Sequence, residues 1–576
     1  MKYTSERNHQ ILIELLKHHN IKKIVTSPGG TNVTFVASVQ QDPFFELYSS
    51  VDERSAAYIA CGLAEESNEP VVLSCTGATA ARNYFSGLTE AYYRKLPILA
   101  ITSTMPVERV GHNFAQATDR TVVSNDIAKH SVLAPIVKDA EDEWNCSVKC
   151  NEAILELKHN GRGPVHINLE TTGADFDASS IKPVQFIDRI CHKDKMPEIK
   201  GKKIAIFVGA HSKWSEQLTK AVDDFCEKYN AVVIYDHTSN YKGKYGVLGS
   251  LITSQKFYKP ICTEMDILVH IGNISGSYIN LLPKETWRVN VDGKICDNFK
   301  KLRFMFEMEE AEFFNRYNNL YEGCKNIEYY KEWKKEYEKL INKIGEIPFS
   351  NIWVAKNLST KLPKNSTLHL GILNSLRSWN FFEIDKTIDA YANTGGFGID
   401  GCVSSLLGAA LASPQKLFFG IVGDLAFFYD MNAVGNRDFA RNIRLIVINN
   451  GGGQEFKNYG SRASQFGEGT NSYIAAMGHF GYKSVNLIKS YVEALGIKYL
   501  SANTKEEFSN NLPVFLSENN DNTAIIFEVF TNTEEETEAL KMMYTIEESI
   551  NENAKQIVKN VLGEKRIRAI KSLLKE

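Results

Sequence analysis

The stretch KLFFGIVGDLAFFYDMNAVGNRDFARNIRLIVINNGG, residues 416–452, decides how this chain is read. Lys416–Val422 is an apolar run bounded by turn residues, the pattern of a buried parallel strand. Asp424 follows just past its end. Phe427–Asn436 has helical spacing, and Arg444–Asn449 is a second apolar run that stops at Asn450. The 25 residues between Asp424 and Asn450 fit one strand–helix–strand unit with parallel strands. Ligands of open α/β sheets bind at the carboxyl ends of such strands. The Asp424 carboxylate, the Asn450 side-chain oxygen and the Gly452 carbonyl are hard oxygen donors of the kind Mg²⁺ takes. Two diphosphate oxygens and a water would complete an octahedron, with the N-terminus of the intervening helix facing the phosphates. Gly451-Gly452-Gly453 lets backbone come close to a ligand. Gly-Asp or Asn-Asn-Gly alone is an ordinary turn. Joined at this spacing and at strand ends, they read as a metal–diphosphate clamp.

The same alternation of strand and helix runs outward from this unit. Ile21–Ser27, Phe45–Val51, Pro70–Ser74, Leu96–Thr102 and Pro164–Leu169 read as strands, with helical stretches at Glu53–Glu66 and Ala80–Tyr93. Residues 173–200 hold two prolines and no clear period, and read as a linker. Lys202–Val208, Ala231–Tyr235, Ile267–Ile271 and Trp287–Val291 form a second set of strands. Residues 309–348 are charged, aromatic and helical in spacing. Ser366–Leu370, Lys416–Val422, Arg444–Asn449 and Thr523–Val529 form the third set. The tail from Thr533 is charged and helical, breaks near Gly563, and reads as a covering or interface helix. A chain of 576 residues exceeds one hydrophobic core. The expected fold class is therefore α/β, with three doubly wound parallel-sheet domains at 1–180, 195–340 (Rossmann-like) and 349–576.

Composition excludes several function classes. Lys plus Arg is 66 and Asp plus Glu is 69, for a net charge of −3, so nothing calls for a nucleic-acid partner. The N-terminal MKYTSERNHQILIELLKHH is amphipathic and lacks the apolar core and cleavage site of a signal peptide. No apolar run is long enough to span a membrane. The 10 cysteines are scattered without C-x-x-C, so a cytoplasmic location is the default expectation. Phe207-Val208-Gly209-Ala210 hints at a nucleotide loop but lacks G-x-G-x-x-G, and no FAD is expected.

Near the N-terminus, Asp52-Glu53-Arg54 opens a helix after the strand Phe45–Val51. A Glu in a first helical turn is ordinarily a surface residue favoured by the dipole. Together with the clamp it resembles the thiamine diphosphate (ThDP) enzymes of the acetohydroxyacid synthase and pyruvate decarboxylase type, along nearly the whole chain. The motifs are Ser27-Pro28-Gly29, Asp52-Glu53-Arg54 with Gly62-Leu63-Ala64, and Gly398-Ile399-Asp400-Gly401. Gly423-Asp424-Leu425, Tyr429-Asp430-Met431-Asn432-Ala433, Asn449-Asn450-Gly451-Gly452 and Gln454-Glu455-Phe456 follow. Leu425 and Asp400-Gly401 are similar to the menaquinone branch, the 2-succinyl-5-enolpyruvyl-6-hydroxy-3-cyclohexene-1-carboxylate (SEPHCHC) synthases.

The resemblance implies pyrimidine-binding, middle and diphosphate-binding domains in that order, and a homodimer or homotetramer with sites between subunits. Glu53 would be the catalytic carboxylate on the aminopyrimidine, where a buried acid with raised pKa suits a shared proton. Ile399 would prop the bent cofactor, and Thr79, Gly398, Gly423, Leu425, Asp424, Asn450 and Gly452 would contact it. Asp424, Asn450 and Gly452 would hold Mg²⁺ or Mn²⁺. On the substrate side stand Asn32, Gln116, Arg377, Thr394 and Glu455, with Arg109, His112, Asn113 and Arg120 around Gln116. Three arginines of the branch are missing: Gly30-Thr31-Asn32 follow Ser-Pro-Gly, Thr394 precedes Gly-Ile-Asp-Gly, and Trp379 stands where Arg377 is shifted by two. An arginine fork is the natural grip on a carboxylate. The implied reaction is decarboxylation of a small 2-oxo acid and transfer of the acyl unit to an acceptor carbonyl or alkene. Simple decarboxylation to an aldehyde, or non-catalytic ThDP binding, are the alternatives.

Overall fold

The computed structural model describes residues 2–120, 122–277, 279–323, 325–517 and 523–547. The expected break near Gly563 lies outside them. Three parallel sheets carry the fold. The chain forms two compact units, residues 1–195 with 285–308, and residues 196–284 with those from 309 onward.

In the first unit, strands β1 (Lys23–Thr26), β2 (Glu46–Ser49), β3 (Val71–Thr76), β4 (Ile98–Thr104), β5 (His130–Ala134) and β6 (Val165–Glu170) pair in the order β2-β1-β3-β4-β6-β5. Every pairing is parallel. β3, β4 and β6 are buried along almost their whole length, the mark of a sheet covered on both faces. One face packs on the helix Arg7–His18 through Ile11, Leu12, Leu15 and Leu16. The other packs on the helix Glu53–Ser67, whose Ala56, Ala57, Ala60 and Ala64 let it lie close to β1 and β3.

The expected linker contains a strand, β7 (Asp188–Cys191), which the two prolines and polar residues of that stretch hide from a periodicity argument. β8 (Ile204–Val208), β9 (Val232–Tyr235), β10 (Gly246–Leu248), β11 (Glu264–Ile271), β12 (Leu282–Val289) and β13 (Leu302–Glu307) follow. β7 pairs with β13 and β13 with β12; in the second unit β8 pairs with β9 and β11, and β9 with β10, all in parallel. Gly209 needs no nucleotide to explain it. A Cβ there would fall 1.9 Å from the Asn273 carbonyl oxygen, so backbone contact alone demands glycine.

The last sheet has β14 (Thr367–Leu370), β15 (Asp389–Tyr391), β16 (Phe418–Gly423), β17 (Ile443–Asn449), β18 (Lys498–Ala502) and β19 (Ile525–Phe530), in the order β15-β14-β16-β17-β19-β18. Counted by rank, this is the order of the first sheet. The helix between β16 and β17 differs from expectation. It starts at Asp424 and ends at Tyr429, 6 residues long, with a 3₁₀ turn at Met431–Ala433 instead of helix to Asn436. It stops where Asp430 leaves helical backbone (φ −126°, ψ 16°) and its carboxylate accepts from the Ser404 N–H and hydroxyl. Among the described residues no helix is long and apolar enough to cross a membrane.

Candidate active site

Each end sheet presents polar residues at its carboxyl edge. In the last sheet, β16 and β17 run side by side with Gly423 opposite Ile448. Asp424 and Asn450 therefore leave neighbouring strands at the same edge. Asp424 is buried, and burial pushes its carboxyl up to about 7, against the backbone N–H groups of Leu425 and Gly451 that face it. The Gly451 N–H also donates to Asn449 Oδ1 at 3.1 Å. The turn after β17 is thus folded back over Asp424. Gly451 has φ +80°, a left-handed conformation that favours glycine. A Cβ on Gly452 would lie 2.6 Å from Met477 Cγ and 2.8 Å from the Ala475 carbonyl oxygen. Asn450 is half-buried beside them.

A residue absent from the sequence reading holds this turn. Glu528, on β19, accepts from Asn449 Nδ2 at 2.6 Å and from the Tyr499 hydroxyl at 2.8 Å. Burial raises its pKa, and its charge in turn raises that of Asp424. The signal was present in the sequence: an acid inside the apolar run IIFEVF, residues 525–530, has no business in a core unless it is hydrogen-bonded. Asp424 and Glu528 place acid at this edge with no cation paired to either among the described residues. Hard oxygen donors around an un-neutralised buried carboxyl fit a divalent ion. The helix after Gly423 is 6 residues long and begins at Asp424, so its N-terminus lies at this same edge.

Glu53 stands at the carboxyl edge of the first sheet, as the first residue of its helix. Asp52 caps that helix, accepting from the Arg54 N–H at 3.1 Å and from Ser55 Oγ at 2.8 Å. With the cap supplied by Asp52, Glu53 is left half-buried and makes no hydrogen bond or ion pair to another described residue. Burial pushes the Cys75 thiol, at the end of β3, up to about 12, and the Glu53 charge adds to that. The exposed Thr79 follows Ala78, whose φ of 58° and ψ of −128° is a glycine-type conformation held by an alanine.

The expected substrate residues scatter. Asn32 is buried, and its Nδ2 donates to the Ser27 carbonyl at 3.0 Å. Gln116, Arg109, His112 and Asn113 are exposed, with φ +63° at Gln116 and +61° at Asn113. Arg120 does not stand with them in solvent. It is 7% exposed, and Nη2 donates to Asn168 Oδ1 at 2.8 Å. Thr394 is buried, while Gly398 and Ile399 are half-buried, Ile399 against the core of the last sheet. Arg377 and Glu455, 78 residues apart, form a two-pronged ion pair: Nη1 to Oε2 at 2.8 Å and Nη2 to Oε1 at 2.9 Å.

Comparison with known proteins agrees with this architecture. Residues 7–123 match the thiamine pyrophosphate enzyme N-terminal TPP binding domain, and residues 374–527 the C-terminal TPP binding domain. Among similar curated proteins, the SEPHCHC synthase of Bacteroides fragilis is 29% identical over 94% of this chain and 99% of its own length. That of Bacteroides thetaiotaomicron is 29% identical with the same coverage. That of Flavobacterium johnsoniae is 28% identical over 93% of this chain and 98% of its own. The first and last of the parallel sheets, alike in strand order, thus overlap the matched regions, and the chain carries the N- and C-terminal TPP binding domains of the thiamine pyrophosphate (thiamine diphosphate) enzymes.

Proposed function

We propose that the chain catalyses ThDP- and Mg²⁺- or Mn²⁺-dependent decarboxylation of a 2-oxo acid and transfers the acyl unit to a second substrate. The observation that carries this reading is the Asp424 edge: a buried carboxyl with no cation, faced by the Gly451 amide, beside Asn450 and Gly452. When bound, ThDP supplies an acyl-anion equivalent. Asp424, Asn450 and the Gly452 carbonyl would hold the metal. Gly398, Gly423, Leu425 and Thr79 would line the cofactor, and Ile399 would prop it. Glu53 would share a proton with the aminopyrimidine ring nitrogen; it is half-buried in the single chain rather than buried as expected, and has no side-chain partner among the described residues. A homodimer or tetramer would bring Glu53 of one copy to the clamp of another. The domain divisions at 1–180, 195–340 and 349–576 belong to the same reading.

The curated relatives are named SEPHCHC synthases, but this chain departs from them in the arginines noted above. Arg377 is held by Glu455 and Asn374. A small donor such as pyruvate suits this chain better than 2-oxoglutarate. The test is ¹⁴CO₂ release from a panel of 2-oxo acids with ThDP and Mg²⁺, with and without aldehyde acceptors. Metal-dependent release that yields a ligated product supports the proposal. An aldehyde as sole product selects the simple decarboxylase instead, and ThDP binding with no CO₂ release from any acid overturns both.

A further inference from the structure

A cavity of about 60 Å³ opens in the second unit beside Arg377. At roughly two water volumes it takes the end of a small molecule. It belongs to the same sheet edge as the clamp: the Gly371 N–H, just past β14, donates to the Ile421 carbonyl of β16 at 2.7 Å, and Leu373, two residues on, lines the cavity. Asn374 Oδ1 accepts from Asn458 Nδ2 at 2.6 Å, tying this wall to the loop that follows Gly452.

Three properties of the lining converge. First, Arg377 is its one charged residue among the described residues, and Glu455 neutralises it through two short hydrogen bonds. Second, the polar groups are hydroxyls. Ser250 is 6% exposed and its Oγ has no partner, while Ser277 Oγ, already accepting from Asn380 Nδ2 at 2.6 Å, keeps its own proton to give. Tyr544, delivered by the helix Thr533–Tyr544, completes the set, and that helix is docked here by Gln255 Nε2 donating to the Met543 carbonyl at 2.8 Å. Third, Leu373 and Phe397 both hold left-handed backbone, φ +67° and +56°, in residues with no natural tendency to it. Strain of this kind persists where the surroundings impose it and gathers at binding sites.

We propose that this cavity receives the uncharged, hydroxylated end of the second substrate, a hydroxy-aldehyde or hydroxy-ketone, and discriminates against an anionic acceptor. The inference rests on the carboligase reading above and gives it a substrate class. Ser250 and Tyr544 hydroxyls pair with the ligand hydroxyl, Phe381 and Phe397 pack on its carbon face, and Glu455 keeps Arg377 from attracting a carboxylate.

Glycolaldehyde and glyoxylate test this as a matched pair, since they differ in a hydroxymethyl against a carboxylate. With pyruvate as donor, the ratio of kcat/KM for glycolaldehyde over glyoxylate is read on the same holoenzyme, so losses of overall turnover cancel. The wild-type ratio is expected well above one. Glu455→Gln removes the charge that neutralises Arg377 and lowers the ratio about tenfold. Tyr544→Phe removes one hydrogen bond and lowers it about fivefold. A wild-type ratio of one or less, or a ratio unmoved by both variants, overturns the proposal. Saturation-transfer NMR without donor gives a readout independent of turnover. Transfer to glycolaldehyde but not glyoxylate, lost in Tyr544→Phe and Ser250→Ala, supports the subsite even if no 2-oxo acid is decarboxylated, in which case only the carboligase reading falls. Equal transfer to both probes, or transfer that survives both variants, overturns the subsite.

Discussion

The first and last sheets have the same strand order by rank and present different charged groups at their carboxyl edges. Among the described residues, the last sheet buries Asp424 just past β16 and Glu528 within β19 with no cation paired to either. The first sheet buries Arg120, whose Nε and Nη1 have no partner among the described residues, beside Gly77 just past β3. Its buried acid, Glu170 at the end of β6, is taken up by the backbone N–H groups of Val107 and Ile136, and Glu53 is left half in solvent. Topology therefore decides where the edge lies, and a handful of residues decide what it presents. In the function proposed above, the last edge would serve a metal ion and the first a proton.

The strongest way to break this contrast is at Glu53. Glu53→Gln is expected to cut 2-oxo acid turnover by about 10²–10⁴-fold while cofactor binding persists, the usual range for a lost acid–base group. Stopped-flow CO₂ release beside a ThDP titration checks it, and parallel loss of both would make Glu53 a structural residue. Asp424→Asn is expected to weaken metal-dependent cofactor binding by about 100-fold, read by calorimetry with Mg²⁺ and ThDP.

The pH dependence of the metal-free protein sharpens the contrast next. Burial holds the Asp424 carboxyl at about 7, above its ordinary value. A raised carboxyl favours the folded state while protonated. That stability is complete below about pH 4 and is lost as pH rises through 7. Thermal melting of the apo protein should therefore fall between pH 4 and 7, by roughly 2–4 kcal/mol in stability, and Asp424→Asn should flatten that part of the curve. Glu536, also pushed up to about 7 by burial, adds a fall of the same sign that Glu536→Gln isolates.

Glu528→Gln should cost about tenfold in metal affinity, because an amide cannot accept from Asn449 and Tyr499 as a carboxylate does. Retained affinity would detach β19 from the clamp. The smallest effect belongs to the first edge: Ala78→Gly relieves a glycine-type backbone and should raise stability by about 1 kcal/mol in urea denaturation.

The placement of Asp424 and Asn450 at neighbouring strand ends was legible because it depends on spacing along one strand–helix–strand unit, and spacing survives in sequence. The strands of β3, β4, β16 and β17 were legible because both their faces are buried, which leaves unbroken apolar runs. β7 was hidden because an intermediate, polar strand has no such run. The helix after Asp424 was misplaced because Gly423-Asp424 reads as a turn, and the apolar residues after it suggest a helix beginning later. Arg377 and Glu455 were both singled out, yet their pairing across 78 residues is a tertiary fact that no local pattern encodes. Sequence places Arg120 with the substrate-side residues around Gln116; its burial against Asn168 depends on the absence of a side chain at Gly77, which no local pattern reveals.

The shortness of the helix that begins at Asp424 has a physiological corollary. A diphosphate gripped by a long helix keeps its row of amides under all conditions. In the function proposed above, the grip would pass through one exchangeable ion held by Asp424, Asn450 and Gly452, so a chelator would be expected to strip the coenzyme and magnesium to restore it.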